Sequence, residues 1–439
     1  MLYLEQKTIV PQYAIRDGIV NVSWPGLESV SAAGQVLLAA GDWAACRCYA
    51  DAAERPPQEL YNGLLEYIQA ADVSVVNYEC ASEKGTPFVK EGVILAGTAA
   101  SCKALKSAGF DAACLANNHA MDYCAPGLVE TLRLAGEAGL PCFGAGTNAA
   151  EAFKPVIMHS GGLRIGLVGI AEPEDGEPDP QSSGIASAYN ANMLDHVRAA
   201  KEQCDVVVVI VHGGREYVPV PSLYWYDRVM AIAAAGADAV IGHHPHVPQG
   251  ATVLQMKDGR SVPVFFSVGN FVFRPALPRK NEIPPHTGDG YLVRLRFDGN
   301  KISAADLIPY GIDGGDGVKR LEGGKLDDFV VFMRELSADL NDRKRVAEWF
   351  DAVVDFQWER HYRDRFATFT RRMLDGDDDA VRFVRNHHHS PAHMTLIDRA
   401  LERIQHGTAG NADAAIRQKL DDWFEGRWPC GALGRPIGD

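Results

Sequence analysis

The sequence lacks three features that would assign it to common classes: a long apolar run, a basic net charge and a paired Cys-x-x-Cys motif. No run reaches the roughly 18 apolar residues of a membrane helix, so no membrane span is expected. The formal net charge of -14 argues against a protein that neutralises nucleic-acid phosphates or binds an anionic membrane surface. Small or polymeric anionic substrates stay compatible with it, because a metal centre supplies positive charge locally.

Cysteine usage indicates reduced thiols. The chain has 9 cysteines, and their odd number prevents complete pairing within the chain. We interpret them as small apolar side chains. The segment Met1-Leu2-Tyr3-Leu4-Glu5 has no basic stretch followed by an apolar one, unlike a secretory signal. These features predict a cytoplasmic protein.

Length and patterning predict a large α/β domain with a smaller helical region. At 439 residues the chain exceeds what one hydrophobic core usually supports. Short apolar runs alternate with amphipathic stretches from residue 36 to about residue 270, which is typical of layered α/β domains. We therefore divide the chain into an N-terminal segment of unclear role (1–35), the main domain (36–320) and a helical C-terminal region (321–439).

Individual elements follow from the periodicity of apolar residues. The predicted strands cover 36–40, 73–76, 112–116, 165–170, 206–211, 239–241 and 262–267. The predicted helices cover 58–71, 101–109, 128–139, 223–235, 326–355, 358–374 and 414–428. The turn signal Asp298-Gly299-Asn300 predicts an antiparallel hairpin between residues 291–297 and 302–308.

Five of the predicted strands are each followed by a side chain able to bind a metal or transfer a proton. In chain order, these side chains are Asp42, Glu79, Asn118 with His119, His212, and His244 with His246. Ligands of open α/β sheets bind beyond the carboxyl ends of the strands, so these groups are expected to converge. Imidazole, carboxylate and amide oxygen suit manganese, zinc or iron better than calcium, which prefers oxygen alone. Any one of them alone is equally consistent with a turn, a helix cap or a structural histidine.

The same segments resemble one known family in both order and spacing. They are Gly41-Asp42, Asn77-Tyr78-Glu79, Ala116-Asn117-Asn118-His119-Ala120-Met121-Asp122-Tyr123, Gly144-Ala145-Gly146, His212-Gly213-Gly214-Arg215-Glu216-Tyr217, Gly236-Ala237-Asp238, Gly242-His243-His244-Pro245-His246 and Phe266-Ser267-Val268-Gly269-Asn270-Phe271. The chain thus resembles the poly-γ-glutamate capsule biosynthesis family CapA, a branch of the calcineurin-like metallophosphatases, over residues 36 to 310.

The resemblance implies a four-layered α/β/β/α metallophosphatase-like sandwich with one or two divalent metals. By that resemblance, Glu79 bridges two sites. The first site is completed by Asp42 and His246, and the second by Asn118, His212 and His244. His119 is implied as the proton donor to the leaving group, with Asp122 as its partner, and His243 as a residue at the edge of the site.

Several residues depart from the expected pattern. Calcineurin-like enzymes have Asp-x-His where this chain has Asp42 followed by Trp43 and Ala44, so the first site loses one imidazole. Gly213 stands where a tryptophan is usual in CapA, and Cys124 where a glycine is usual. The last two changes bear on the substrate more than on the metal.

We predict a metallohydrolase, in particular a phosphoesterase-like enzyme in which metal-activated water attacks an anionic substrate and His119 protonates the leaving group. His243, Arg215, Glu216 and Asn270 are predicted substrate contacts, although a salt-bridge or turn role fits the last three equally well. The alternative is a non-catalytic or accessory component of poly-γ-glutamate or capsule synthesis. Oligomeric state is not predicted.

A second histidine cluster lies in the C-terminal region. His387, His388, His389 and His393 have no carboxylate or cysteine at a fixed ligand spacing. We interpret this cluster as a solvated surface, and the helical region around it as a shield over the active site or a subunit contact.

Overall fold

The structure is a computed structural model that describes residues 2–27, 34–46, 49–90, 92–173, 182–273, 286–312 and 317–428. The strands in these ranges are β1 (Lys7–Ile9), β2 (Gln12–Arg16), β3 (Ile19–Ser23), β4 (Gln35–Trp43), β5 (Val73–Tyr78), β6 (Ala81–Ser82), β7 (Ala96–Gly97), β8 (Ala112–Cys114), β9 (Cys142–Phe143), β10 (Ala145–Gly146), β11 (Val156–Ser160), β12 (Leu163–Ala171), β13 (Gly184–Ile185), β14 (Val206–His212), β15 (Ala239–His243), β16 (Pro248–Gln255), β17 (Ser261–Val268), β18 (Asn270–Val272), β19 (Asp289–Asp298), β20 (Lys301–Ile312) and β21 (Val318–Arg320).

Helices are interspersed between these strands and dominate the C-terminal region. The α-helices are α1 (Pro57–Tyr61), α2 (Leu65–Ala70), α3 (Ala99–Ala108), α4 (Cys124–Glu137), α5 (Ala149–Ala152), α6 (Met193–Gln203), α7 (Leu223–Ala235), α8 (Gly324–Ser337), α9 (Arg343–Gln357), α10 (Arg363–Leu374), α11 (Asp378–His389), α12 (Pro391–Gln405) and α13 (Ala414–Phe424). Short 3-10 turns cover Leu2–Glu5 and Asn62–Leu64, and a π-helical turn covers Trp358–Tyr362.

Two large mixed sheets form the main body. The seven-stranded sheet has the order β1-β16-β17-β15-β14-β12-β11, with parallel pairing through β17, β15, β14 and β12. The ten-stranded sheet runs β2-β3-β20-β19-β4-β5-β8-β9, with β18 beside β4 and β21 beside β20. The predicted α/β class and all seven predicted strands are confirmed, as is the antiparallel hairpin β19–β20.

Successive side chains of β14 belong to two different hydrophobic cores, one on each face of the seven-stranded sheet. Its run of valines and isoleucine is buried on both faces. Val208 and Ile210 join the core shared with the ten-stranded sheet, whereas Val207 and Val209 join the core shared with helices α6 and α7. Because successive strand side chains point to opposite faces, one face of the sheet packs on the second sheet and the other on helices.

The N-terminal segment, whose role the sequence left open, adds strands to both sheets. Strand β1 pairs with β16, and the hairpin β2–β3 pairs through β3 with β20. The hydroxyl of Tyr13 lies 2.7 Å from the Ser337 hydroxyl at the end of α8. The N-terminal segment therefore contacts the first C-terminal helix as well as the sheets.

The described part of the C-terminal region is helical, as predicted, but contains three more α-helices than expected. Residues 326–355, predicted as one helix, form α8 and α9, and helices α11 and α12 were not predicted. That residues 321–439 form a separate domain stays a prediction. Within the described ranges no helix has the length and apolar character needed to cross a membrane.

The 7 described cysteines are all free thiols. This agrees with the prediction of reduced cysteines, while Cys48 and Cys430 lie outside the described residues.

Candidate metal centre

The predicted ligands lie where the carboxyl ends of strands from both sheets meet. Asp42 lies near the end of β4, Glu79 directly follows β5, and Asn118 and His119 follow β8. The other sheet contributes His212, the last residue of β14, with His244 and His246 after β15. Asp42, Glu79 and His212 have no solvent exposure, so these three ligands are fully buried.

Three of the predicted ligands surround the Nε2 atom of a fourth, His212. This nitrogen lies 2.8 Å from Oδ1 of Asn118, 3.1 Å from Nδ1 of His244 and 3.7 Å from Oε1 of Glu79. One amide oxygen, one carboxylate and two imidazoles therefore converge within the size of a single ion-binding site.

The remaining predicted ligands lie beside this group. Oδ2 of Asp42 is 3.8 Å from Nδ1 of His246. One ligand atom from each of Asp42, Glu79 and His212 lies within 4.8 Å of the other two. The structure thus brings together all the residues predicted as metal ligands, although their ligand roles stay predictions.

The carboxylates of this centre have buried oxygens without hydrogen-bond partners among the described residues. They are Oδ2 of Asp42 and both Oε1 and Oε2 of Glu79. Burying charged oxygens without partners is costly unless a cation neutralises them. The donor set therefore fits a divalent cation, which would satisfy these atoms.

The pKa shifts of the two carboxylates also fit a site for a cation. Burial and the neighbouring charge of Asp42 raise the pKa of Glu79 well above its usual range. Burial also raises the pKa of Asp42, but attraction to His243 and His246 outweighs it, and the pKa of Asp42 is lowered overall. The two carboxyl groups therefore repel each other when both are charged, and a bound cation would offset this repulsion.

The histidine loop after β15 has an unusual backbone. His244 has φ 96° and His246 has φ 57°, values that non-glycine residues rarely adopt. Such conformations persist only where surrounding structure determines them, and they cluster at functional sites. The φ values aim both imidazoles at the centre, with their ring centroids 5.9 Å apart.

His119 forms a buried dyad with Asp122. Its Nδ1 lies 2.7 Å from Oδ2 of Asp122, and its Nε2 lies 3.8 Å from Oε1 of Glu79. The other oxygen of Asp122 forms an ion pair of 2.6 Å with Lys90, whose side chain is almost fully buried. Burial raises the pKa of Asp122, but His119 and Lys90 outweigh this, and the pKa is lowered overall. Asp122 therefore stays anionic and fixes the His119 ring.

Two of the predicted substrate contacts lie within hydrogen-bond distance of predicted metal ligands. His243 is fully buried, with Nδ1 2.8 Å from Oδ1 of Asp42. Asn270 is equally buried, with Oδ1 2.9 Å from Nδ1 of His246. Their predicted substrate-binding roles stay predictions.

The other two predicted substrate contacts lie in the loop after β14. Glu216 is half-exposed, with Oε1 3.9 Å from Nε2 of His246. Arg215 is buried and bonds to residues of the C-terminal helices. Their substrate roles stay predictions.

Sequence reasoning missed two buried supporting residues. The Asn77 amide donates to Oδ1 of Asp42 over 2.8 Å and lies 3.2 Å from Nδ1 of His212, so it links the two sheets. Asn77 stands two residues before Glu79 in the same motif, a signal that could have identified it. Lys90 lies in an irregular loop with no such signal.

The interpretation of the C-terminal histidines as a solvated surface is wrong for two of them. His387 is buried, and burial with nearby arginines lowers its pKa to about 4. His393 also has a lowered pKa, through burial and the charge of Arg215. Their rings lie 4.5 Å apart. Packing of α11 and α12 against the loop after β14 buries them, which their polar sequence surroundings did not indicate.

Comparison with known proteins agrees with this geometry. The sequence profile of the family described as bacterial capsule synthesis protein PGA_cap matches residues 36–275. The chain is 31% identical over 259 residues to the capsule biosynthesis protein CapA of Bacillus anthracis, covering 57% of this chain and 60% of that protein. It is 28% identical over 260 residues to the PGA biosynthesis protein CapA of Bacillus subtilis (strain 168), covering 57% and 65%.

A third relative has a different printed role. The probable polyglutamine synthesis accessory protein Rv0574c of Mycobacterium tuberculosis is 27% identical over 179 residues, covering 36% of this chain and 44% of that protein. The chain spans less than two thirds of the length of each of these three relatives. The profile match covers more than half of the chain and includes every predicted metal ligand, so the chain belongs to the bacterial capsule synthesis protein family PGA_cap, the family of CapA.

Proposed function

We propose that this protein is a metal-dependent hydrolase, phosphoesterase-like, that acts on a small or polymeric anionic substrate. The observation that carries the proposal is the set of buried oxygens on Asp42 and Glu79 that lack hydrogen-bond partners among the described residues and lie within 4 Å of three imidazoles. A purely structural core would leave such oxygens paired or would replace them with apolar groups.

The residues divide into the two sets implied by the family resemblance. Glu79, Asn118, His212 and His244 would hold one ion, and Asp42, Glu79 and His246 would hold another, with Glu79 shared. This mixture of imidazole, carboxylate and amide ligands favours manganese, zinc or iron. A bound divalent ion would lower the pKa of water and attract the negative charge of the substrate.

His119 is placed to transfer a proton to the leaving group. Asp122 accepts from Nδ1, which fixes the ring and leaves Nε2 directed at the centre. A proton held on Nε2 can pass to the leaving oxygen or nitrogen of a substrate bound beside Glu79. Asp122 acts on the substrate only through His119 and is therefore a positioning residue.

The proposal extends to architecture and location. Two sheets that share a core, with helices on the outer face of one, support the four-layered α/β/β/α metallophosphatase-like arrangement. Free thiols at all the described cysteines support a cytoplasmic location.

A second candidate function is a non-catalytic or accessory role in poly-γ-glutamate or capsule synthesis. It is favoured by the printed role of the mycobacterial relative and by Trp43 and Ala44, which replace the Asp-x-His imidazole of the first metal site. In that role the centre would bind metal without turnover.

Metal analysis combined with hydrolysis of p-nitrophenyl phosphate separates the two functions. The purified protein is loaded with Mn²⁺, Zn²⁺ or Fe²⁺, and bound metal and product release are measured for the wild type and for Glu79→Gln. We expect metal-dependent turnover that Glu79→Gln removes. Stoichiometric metal without hydrolysis of any of several phosphate mono- and diesters would instead support the accessory role.

A further inference from the structure

Arg215 is a buried cation without an anionic partner in the described part of the chain. It lies three residues after His212, and it has a relative exposure of 8%. No carboxylate of the described residues forms an ion pair with it, and its Nε has no hydrogen-bond partner among them. Buried arginines normally pair with carboxylates, because an uncompensated buried charge is costly.

Among the described residues, neutral groups of the C-terminal helices hold the guanidinium. One Nη atom donates to Oε1 of Gln357 and to the hydroxyl of Tyr362, both over 2.9 Å, and the other lies 3.1 Å from Nδ1 of His393. The Tyr362 hydroxyl is also 2.6 Å from that nitrogen. These contacts orient Arg215 and leave its charge unneutralised.

The positive charge near this cluster comes from arginines and not from its histidines. His387 and His393 are neutral near pH 7, because burial and the charges of Arg215 and Arg365 lower the pKa of each. Arg385 lies over the Phe88 ring, in the loop that carries Lys90. The two residues after Arg215 border the metal centre, because Oε1 of Glu216 lies 3.9 Å from Nε2 of His246 and the backbone N–H of Tyr217 donates to the carbonyl of Pro245 over 2.9 Å. Arg215 therefore lies in a segment next to the metal centre.

We propose that Arg215, oriented by Tyr362 and His393, binds a second anionic group of the substrate, next to the one held at the metal centre. This inference rests on the proposed function and names its substrate class: compounds in which a carboxylate or second phosphate lies close to the hydrolysed group. Arg215 supplies the charge that attracts this second anionic group. The C-terminal helices then set specificity, because without them Arg215 would have no fixed position.

The test uses pairs of ligands that differ by one carboxylate. Binding of phenylphosphonate and of 4-carboxyphenylphosphonate to the metal-loaded full chain is measured by titration calorimetry, so the result does not depend on turnover. We expect the wild type to bind the carboxylated ligand more tightly, by roughly tenfold to a hundredfold, the usual range for hydrogen bonds to charged groups. Arg215→Gln should remove this preference, and Tyr362→Phe should reduce it.

Arg360→Gln is the matched control. Arg360 lies on the same π-helical turn as Tyr362, but its side chain is exposed and paired with Asp421. It should keep the preference. Arg215→Lys keeps the positive charge but lacks the paired N–H donors of the guanidinium, so it should retain a smaller preference. This variant tests the proposal if Arg215→Gln does not fold. Equal affinity of the wild type for both ligands would overturn the proposal, as would an equal loss for both ligands in Arg215→Gln.

Turnover of phenyl phosphate and 4-carboxyphenyl phosphate separates this inference from the proposed function. If the wild type hydrolyses neither ester but prefers the carboxylated phosphonate, the proposed hydrolysis fails while the anion site stands. If both esters are hydrolysed with the same kcat/KM, the anion site fails and hydrolysis stands.

Discussion

Nδ1 of His119 lies 2.7 Å from Oδ2 of Asp122, an arrangement that points Nε2 of the same ring at Glu79. Because His119 contributes no atom to the group around His212, its substitution separates proton transfer from metal binding.

Replacing His119 by Ala should keep the metal content and lower kcat by roughly a hundredfold to ten-thousandfold, the usual contribution of a general acid. The reason is that the leaving group would depart without a proton. Metal content by plasma mass spectrometry and kcat by product release measure the two effects. A variant that keeps both metal and activity would remove the proposed role of His119.

Asp122→Asn should lower kcat less than His119→Ala, and should also destabilise the fold. The carboxylate holds both His119 and the buried ammonium of Lys90, and weakening a buried ion pair costs about 3 to 5 kcal/mol. The double variant Lys90→Met with Asp122→Asn removes the buried charge and should recover part of the lost Tm without recovering kcat. Recovery of kcat in the double variant would contradict a positioning role for Asp122.

Glu79→Gln should raise the Tm of the metal-free protein while weakening metal binding. Without metal, the carboxylates of Glu79 and Asp42 are buried close together and have oxygens without hydrogen-bond partners among the described residues. Replacing one carboxylate by an amide should therefore raise the free energy of unfolding by about 1 to 3 kcal/mol. Thermal unfolding in EDTA and in excess Mn²⁺ measures both effects. Glu216→Gln is the control, since its half-exposed carboxylate should leave the Tm in EDTA nearly unchanged.

Acidification should loosen the C-terminal helices. The pKa of His387 is lowered by burial to about 4 in the folded protein, and is about 6.5 in an unfolded chain. The unfolded state therefore binds more protons between these values, so stability is lost as pH falls from about 6.5 towards 4, by up to about 3 kcal/mol. Arg215, Arg365 and His388 all disfavour the charged form.

Hydrogen exchange in α11 and α12 at about pH 7 and pH 5, corrected for intrinsic rates, measures this loosening. His387→Phe keeps an aromatic ring against Phe383 but cannot titrate, so its protection should fall less on acidification. Equal losses in the two proteins would show that another group is responsible.

The sheets and the ligand set could be predicted because the sequence signals for them are local. Each central strand is a short apolar run, and each predicted ligand lies at or just after a strand end, so parallel pairing brings the ligands of each sheet to one edge. Packing of the two sheets on each other brings these edges together. The direction of each side chain could not be predicted in this way. His243 and His244 are neighbours, yet one supports Asp42 from within the sheet while the other faces His212.

Contacts between distant segments account for most of what was missed. Nothing near Tyr362 or His393 in the sequence indicates that they contact Arg215, more than 140 residues earlier. Gly213 is similar. A Cβ atom there would lie 2.8 Å from the Trp225 ring and 2.7 Å from Cγ of Glu172, so Trp225 fills the space beside a position where a tryptophan is usual in CapA.

The hairpin β2–β3 has a consequence for any shortened form of this protein. It pairs with β20 through Ala305, Asp306 and Leu307, and so covers backbone donors and acceptors along one side of the ten-stranded sheet. A chain trimmed to begin at residue 36 would retain every metal ligand but leave this stretch of β20 as an open edge, a template for pairing with other molecules. Self-association of such a chain would therefore reflect the lost hairpin rather than a natural oligomer.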